Sequence, residues 1–188
     1  MAATTWAGDV VELRPLWPGE SAPLLAVFAG MSLTSRAGRY LVGIPSLPRS
    51  MLDALTAVDG YDHVAWLASV RRQPAGIARY IRAEPGRAEL AFEVADDYQG
   101  RGVGTALLDA VTTVACTHGV RRVSATVLAS NTPSRRLLGR VGVRLPHGDG
   151  VLEGEGRLRL LDPPRVDRAA VLALARARSA TAAGVLRA

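Results

Sequence analysis

Apolar residues recur along the chain in short segments of two distinct periods, set apart by glycine- and proline-bearing turns. Val10–Leu13 reads as a strand that Pro15 stops, and Glu20–Ala29 as a helix opened by Pro18-Gly19. Arg39–Pro48, with Gly43, Pro45 and Pro48, reads as a loop. Met51, Leu52, Leu55 and Val58 stand at helical spacing and predict a helix over Arg49–Val58. Strands are predicted at His63–Val70 and Gly76–Arg82, joined by a hairpin signal at Arg71-Arg72-Gln73-Pro74. In the next strand, Ala88–Ala95, Leu90, Phe92 and Val94 face one way and Glu89, Ala91 and Glu93 the other. A glycine run, Gln99–Gly104, then leads into a helix reaching about His118, with Val103, Leu107, Val111 and Val114 as its buried stripe. Arg122–Leu128 is a further strand, and Asn131 starts a short helix in which Pro133 sits near the beginning, where proline costs little. Val143–Leu145 and Arg157–Leu161 are predicted to close the sheet as a hairpin. Pro163-Pro164 ends the domain, and Asp167–Arg187 reads as a basic, alanine-rich helix. The pattern is that of an α+β domain with a mainly antiparallel sheet.

Composition narrows what such a domain does. At 188 residues, 48% hydrophobic and 21% charged, the chain fits one ordinary domain, here 8–162, with a helical extension at 163–188. No apolar run approaches the roughly 20 residues that cross a bilayer, and Met1–Gly8 lacks the features of a secretory signal. One cysteine excludes an internal disulfide, and three scattered histidines disfavour a metal. A cytoplasmic protein without a metal is expected. All of the cations are arginine, because the sequence has no lysine. A Walker phosphate loop, which needs Gly-Lys-Ser/Thr, is therefore ruled out. The net charge of +6 favours an anionic partner such as a phosphate-rich cofactor. No aromatic-rich basic motif points to nucleic acid.

The glycine run is the most informative stretch. Glycines let backbone N–H groups converge at a helix N-terminus, where the helix dipole also favours an anion. A dinucleotide fingerprint is not met: counted from Gly100, its third glycine position holds Thr105, and no acidic residue lies between Asp109 and Asp149 to hold a ribose. Cys116, among apolar neighbours near a helix end, reads as packing.

The strand Glu89–Val94 followed by Asp97–Leu108 resembles the acetyl-CoA motif of the GNAT N-acetyltransferases, whose Gln/Arg-x-x-Gly-x-Gly/Ala pattern is filled by Gln99, Gly102 and Gly104. The family's second element, an asparagine after the next strand and a small residue three positions on, is matched by Asn131 and Ser134. Gly142 follows, with Val143 where phenylalanine is usual. Leu13-Arg14-Pro15, Leu33–Arg36, Leu55–Asp59 and Gly76–Tyr80 look like the Pat-type protein lysine acetyltransferases, several of which carry a regulatory domain that is not expected within these 188 residues.

The resemblance implies a GNAT-like fold of about seven strands flanked by helices, plus a C-terminal helix. It also implies acetyl-CoA as co-substrate, held by Phe92, Glu93, Val94, Gln99, Gly100, Arg101, Gly102, Val103, Gly104, Thr105, Asn131 and Ser134. The Val94 amide would stand near the acetyl oxygen as an oxyanion donor. Asn131 serves equally well as a helix N-cap. Glu89 occupies the position of the base that deprotonates the acceptor amine, with Glu93 as the second candidate on the same face; as bare strand residues both would be solvent-facing. Leu138 stands where many relatives carry a tyrosine acid, so no acid is assigned. Arg121, Arg122, Arg135, Arg136, Arg140 and Arg144 suit either the phosphates of CoA or a solvated face. The expected reaction is acetyl transfer to a protein lysine, for example of an acyl-CoA synthetase, by a monomer or homodimer acting away from membranes. A small-molecule amine acceptor and a non-catalytic acyl-CoA-binding module are the alternatives.

Overall fold

One mixed sheet carries the molecule. The computed structural model describes residues 1–4, 8 and 10–185. Its strands are β1 (Ala2–Thr4), β2 (Val10–Pro15), β3 (His63–Val70), β4 (Gln73–Glu84), β5 (Arg87–Val94), β6 (Arg122–Leu128) and β7 (Val151–Arg157), and they lie side by side in chain order. Every neighbouring pair is antiparallel except β5 and β6. The helices are α1 (Ala22–Ala29), α2 (Leu33–Tyr40), α3 (Arg49–Thr56), α4 (Val103–Thr117), α5 (Thr132–Arg140) and α6 (Arg168–Val185). This is the α+β architecture that the two hydrophobic periods predict.

Strand alternation divides the core in two. Val64, Trp66, Ala68, Ala78, Tyr80, Ala88 and Leu90 pack toward α4. Ala65, Leu67 and Ile77 pack on the opposite face with Leu24 and Val27 of α1. Burying each of the larger side chains contributes about 1.5–3 kcal/mol. The predicted stripe of α4 is buried, but so is nearly everything else from Val103 to Ala115, Gly104 excepted. The reason is that the C-terminal segment covers the helix's outer side. Val166 and Val171 join its core. Asp109, fully buried on α4, accepts bonds from the Arg165 and Val166 amides at 2.5 and 3.2 Å and pairs with Arg168 at 2.8 Å. The extension thus docks on the domain through a carboxylate; the predicted helix end at Arg187 lies outside the described residues.

Three elements differ from expectation, the first being β1, an edge strand ahead of residue 8 that pairs with Val10–Glu12 where the sequence predicts none. Helix α2 begins within a stretch that carries no apolar stripe and runs into the predicted loop. Ser32 caps it by accepting the Ser35 amide at 3.2 Å, and Leu41, at φ 66°, ends it. It buries no residue, so hydrophobic period gives no sign of it. The last strand is Val151–Arg157 rather than Arg157–Leu161, paired with β6 along its whole length. Val143–Leu145 forms no strand, and only Arg144 bridges to Glu155. Close approach decides this register: a Cβ on Gly156 would stand 1.9 Å from the Gly142 carbonyl oxygen, so only glycine lets the two segments lie together.

Candidate active site

The parallel pair is where the sheet opens. Strand β5 meets β6 only at Arg87–Glu89 against Arg122–Ser124, whereas β4 follows β5 as far as Val94. From Leu90 to Val94, β5 therefore has one edge without a neighbouring strand. The Ala95 amide donates to the Ala75 carbonyl at 2.9 Å, and Ile77 and Gly76 stand opposite Glu93 and Val94. Antiparallel alternation then turns the amides of Leu90, Phe92 and Val94 away from β4 and into the opening. The cleft so formed is walled by Leu90, Ala91 and Phe92 of β5, Ala125–Val127 of β6, Ser134 and Leu138 of α5, and Gly38 and Arg39 of α2.

At one end of this edge lies the glycine loop. Gly100 and Gly102 adopt φ of 68° and 93°, a conformation that glycine enters without strain. Gly102 caps α4 without any side-chain bond to the helix amides, and no acid stands in the first turn, so the N–H groups there suit an anion. The side chains of Val103 and Thr105 are buried, which leaves their backbone to meet a ligand. A Cβ on Gly104 would come no closer than 3.4 Å to Leu137 and 3.6 Å to Val94, so the fold itself does not demand glycine there. Gln99 donates to the Val94 carbonyl at 3.0 Å, to Asp96 at 3.0 Å and to the Ser35 hydroxyl at 3.2 Å. Arg101 donates to the Asp97 carbonyl at 3.2 Å. Across the cleft, Asn131 caps α5 by accepting the Ser134 amide at 3.2 Å, while its amide nitrogen reaches the Gly38 carbonyl at 3.5 Å.

The two carboxylates have different surroundings. Glu89 is exposed, opposite Ile81 on β4 and Ser124 on β6, and its carboxylate makes no bond to another described residue. Glu93 is 3% exposed and accepts from three donors. Arg39 Nε lies at 2.7 Å, the Tyr40 hydroxyl at 3.3 Å and Arg79 Nη2 at 3.3 Å. Burial and the Glu93 charge push the Tyr40 phenol upward, which keeps it neutral. Arg79, 1% exposed, also donates to the Leu55 carbonyl at 2.6 Å and faces His63 Nε2 at 3.4 Å. Since His63 Nδ1 lies 3.1 Å from the Ala57 carbonyl, its proton sits there and Nε2 accepts from Arg79. Burial and the Arg79 charge bring His63 down to about 4. Arg39 and Tyr40 lie outside the sequence motifs, whereas Arg79 falls within the Gly76–Tyr80 stretch without a role assigned to it there. Its further signal is a charge in the middle of the predicted strand Gly76–Arg82, where Arg82 stands only at the end.

Residues 38–143 match the acetyltransferase (GNAT) family, and the chain belongs to it. It is 33% identical over 165 residues to acetyltransferase Pat of Mycolicibacterium smegmatis, covering 85% of this chain and 48% of Pat. The chain thus spans about half the length of that relative. An acetyltransferase of Pseudomonas aeruginosa is 32% identical over 147 residues, covering 74% of this chain and 79% of its own. Among solved structures, the GNAT domain of S. lividans PAT superposes with a TM-score of 0.76 at 28% identity, covering 84% of this chain and 96% of that one. Among the described residues no helix is long and apolar enough to cross a membrane.

Proposed function

We propose that this chain transfers the acetyl group of acetyl-CoA directly to a primary amine, and that the amine is a protein lysine, such as one on an acyl-CoA synthetase in the cytoplasm. The observation that carries the transfer reading is the free β5 edge, whose amides run from the N-terminus of α4, where no side chain occupies the helix amides, toward Glu89. The similarity to Pat supports the lysine acceptor.

In this reading Gly100–Gly104 hold the pyrophosphate through backbone N–H groups. The arm of the co-substrate pairs with the β5 edge, the Val94 amide taking the part beside the loop. Val94 and Glu89 are five residues apart, about 16 Å along a strand, so an acyl carbonyl at Val94 would lie out of the base's reach. The Phe92 amide, deeper in the cleft, is the better oxyanion donor. Glu89 removes the proton from the acceptor, through water where needed, since only on the order of one lysine in a thousand is neutral at pH 7. Glu93, already engaged by three donors, holds α2 against β5 and so shapes the cleft wall. Leu138 lines the cleft and offers no proton. A thiol with a pKa of about 8.5 departs as thiolate without one.

A free-CoA release assay with a panel of amines and acyl-CoA synthetases tests the proposal. Glu89→Gln should lower turnover by roughly a hundredfold while acetyl-CoA still binds, and raised pH should restore part of it. A larger loss in Glu93→Gln would exchange the two roles. Binding without CoA release from any acceptor would leave an acyl-CoA-binding module.

A further inference from the structure

The buried charges beside the cleft do not cancel. Glu93 contributes one negative charge and faces two guanidinium groups, those of Arg39 and Arg79. His63 adds no charge near neutral pH, because burial and Arg79 hold it down to about 4, and the Tyr40 phenol is kept protonated. Glu89 is four residues from Glu93, about 13 Å along the strand, and does not complete the balance. One positive charge is left over in a half-dry site, and such a charge favours an anionic partner.

The two arginines are not equivalent. Arg79 is enclosed, with its nitrogens turned to Glu93, the Leu55 carbonyl and His63. Arg39 is pinned at Nε by Glu93, and its side chain is 17% exposed. Among the described residues its two terminal nitrogens have no hydrogen-bond partner, and Arg39 is itself a wall of the acyl cleft. The neighbouring walls Leu90, Ala91, Phe92 and Leu138 are apolar. A guanidinium fixed at one nitrogen, with its fork left open, is built to take a planar carboxylate. The phosphates of the co-substrate belong at the glycine loop, beyond Val94, where backbone N–H groups rather than Arg39 meet them.

Resting on the transfer reading, we propose that Arg39 binds a carboxylate that a substrate carries into the cleft beside Phe92. That carboxylate belongs either to the acyl group, as in a dicarboxylic acyl-CoA such as succinyl-CoA, or to the amine acceptor.

Calorimetry in two arms tests this without needing turnover. The first compares succinyl-CoA with acetyl-CoA on the wild type, Arg39→Met and Arg39→Lys. The second titrates CoA-loaded protein with Nα-acetyl-lysine and with its carboxamide. In at least one arm the wild type should prefer the carboxylate ligand, with the preference falling tenfold or more in Arg39→Met and partly retained in Arg39→Lys. The arm that responds identifies the source. No carboxylate preference in either arm, or one that Arg39→Met leaves in place, overturns the proposal and makes Arg39 a purely structural partner of Glu93. Failure of acetyl-CoA and CoA to bind at all would overturn the transfer reading first, and the carboxylate site with it.

Discussion

Replacing Gly104 by glutamate separates the fold from the site, because the two should respond in opposite directions. Gly104 is the second residue of α4 and needs no positive φ, and the space its Cβ would enter borders Leu137 and Val94 at ordinary contact distance. The substitution removes a helix glycine, which favours folding by about 0.5–1 kcal/mol. An acid in the first turn adds about 0.3–1 kcal/mol through the helix dipole. The melting temperature should therefore hold or rise. Binding should suffer, since the new side chain projects between Val94 and α5, where the co-substrate would pass. A carboxylate at about 6 Å from one phosphate charge opposes it by ~0.7–2.8 kcal/mol for an effective dielectric between 80 and 20. Acetyl-CoA affinity, measured by calorimetry, should fall at least tenfold, equivalent to about 1.4 kcal/mol. Gly104→Ala adds the Cβ without the charge, so its affinity reports how closely the ligand approaches the backbone. A folded Gly104→Glu protein that binds acetyl-CoA with unchanged affinity would refute the placement of the pyrophosphate at this loop.

Two further outcomes concern stability. His63 holds its proton less tightly folded than unfolded, so the unfolded chain binds more protons between about pH 4 and 6.5 and stability should rise with pH across that window. Thermal melts of His63→Asn, which keeps a donor toward the Ala57 carbonyl, should show a shallower slope there; identical slopes would remove His63 as the cause. Asp109→Asn leaves Arg168 without its buried counter-charge, and urea unfolding should show a loss of about 3 kcal/mol, the low end for a broken buried pair because Arg168 is partly exposed. In thermal melts this corresponds to a fall of about 6–12 °C, and a loss under about 1 kcal/mol would mean that α6 docks without help from this carboxylate.

Local pattern determined most of the sheet. Strands β3 to β6 and helix α4 carry strong periods bounded by turn residues, so their existence and one buried face of each follow from side-chain geometry without knowing the neighbour. The glycine loop was legible for the same reason, since positive φ at Gly100 and Gly102 is a demand of the local backbone. Only the tertiary structure decided what lies across from each face. Alternation puts Glu89 and Glu93 on one side of β5, yet one is exposed and the other buried beneath Arg39, Tyr40 and Arg79, which come from α2 and β4. Helix α2 lacks an apolar stripe because it rests on polar ties to Glu93, Asp96, Gln99 and Asn131, all more than 50 residues away in the chain. The register of β7 follows from glycines that allow backbone to touch backbone, and the docking of α6 from a carboxylate inside another helix. Long-range polar contacts of this kind have no period along the sequence, so the chain must fold before they exist.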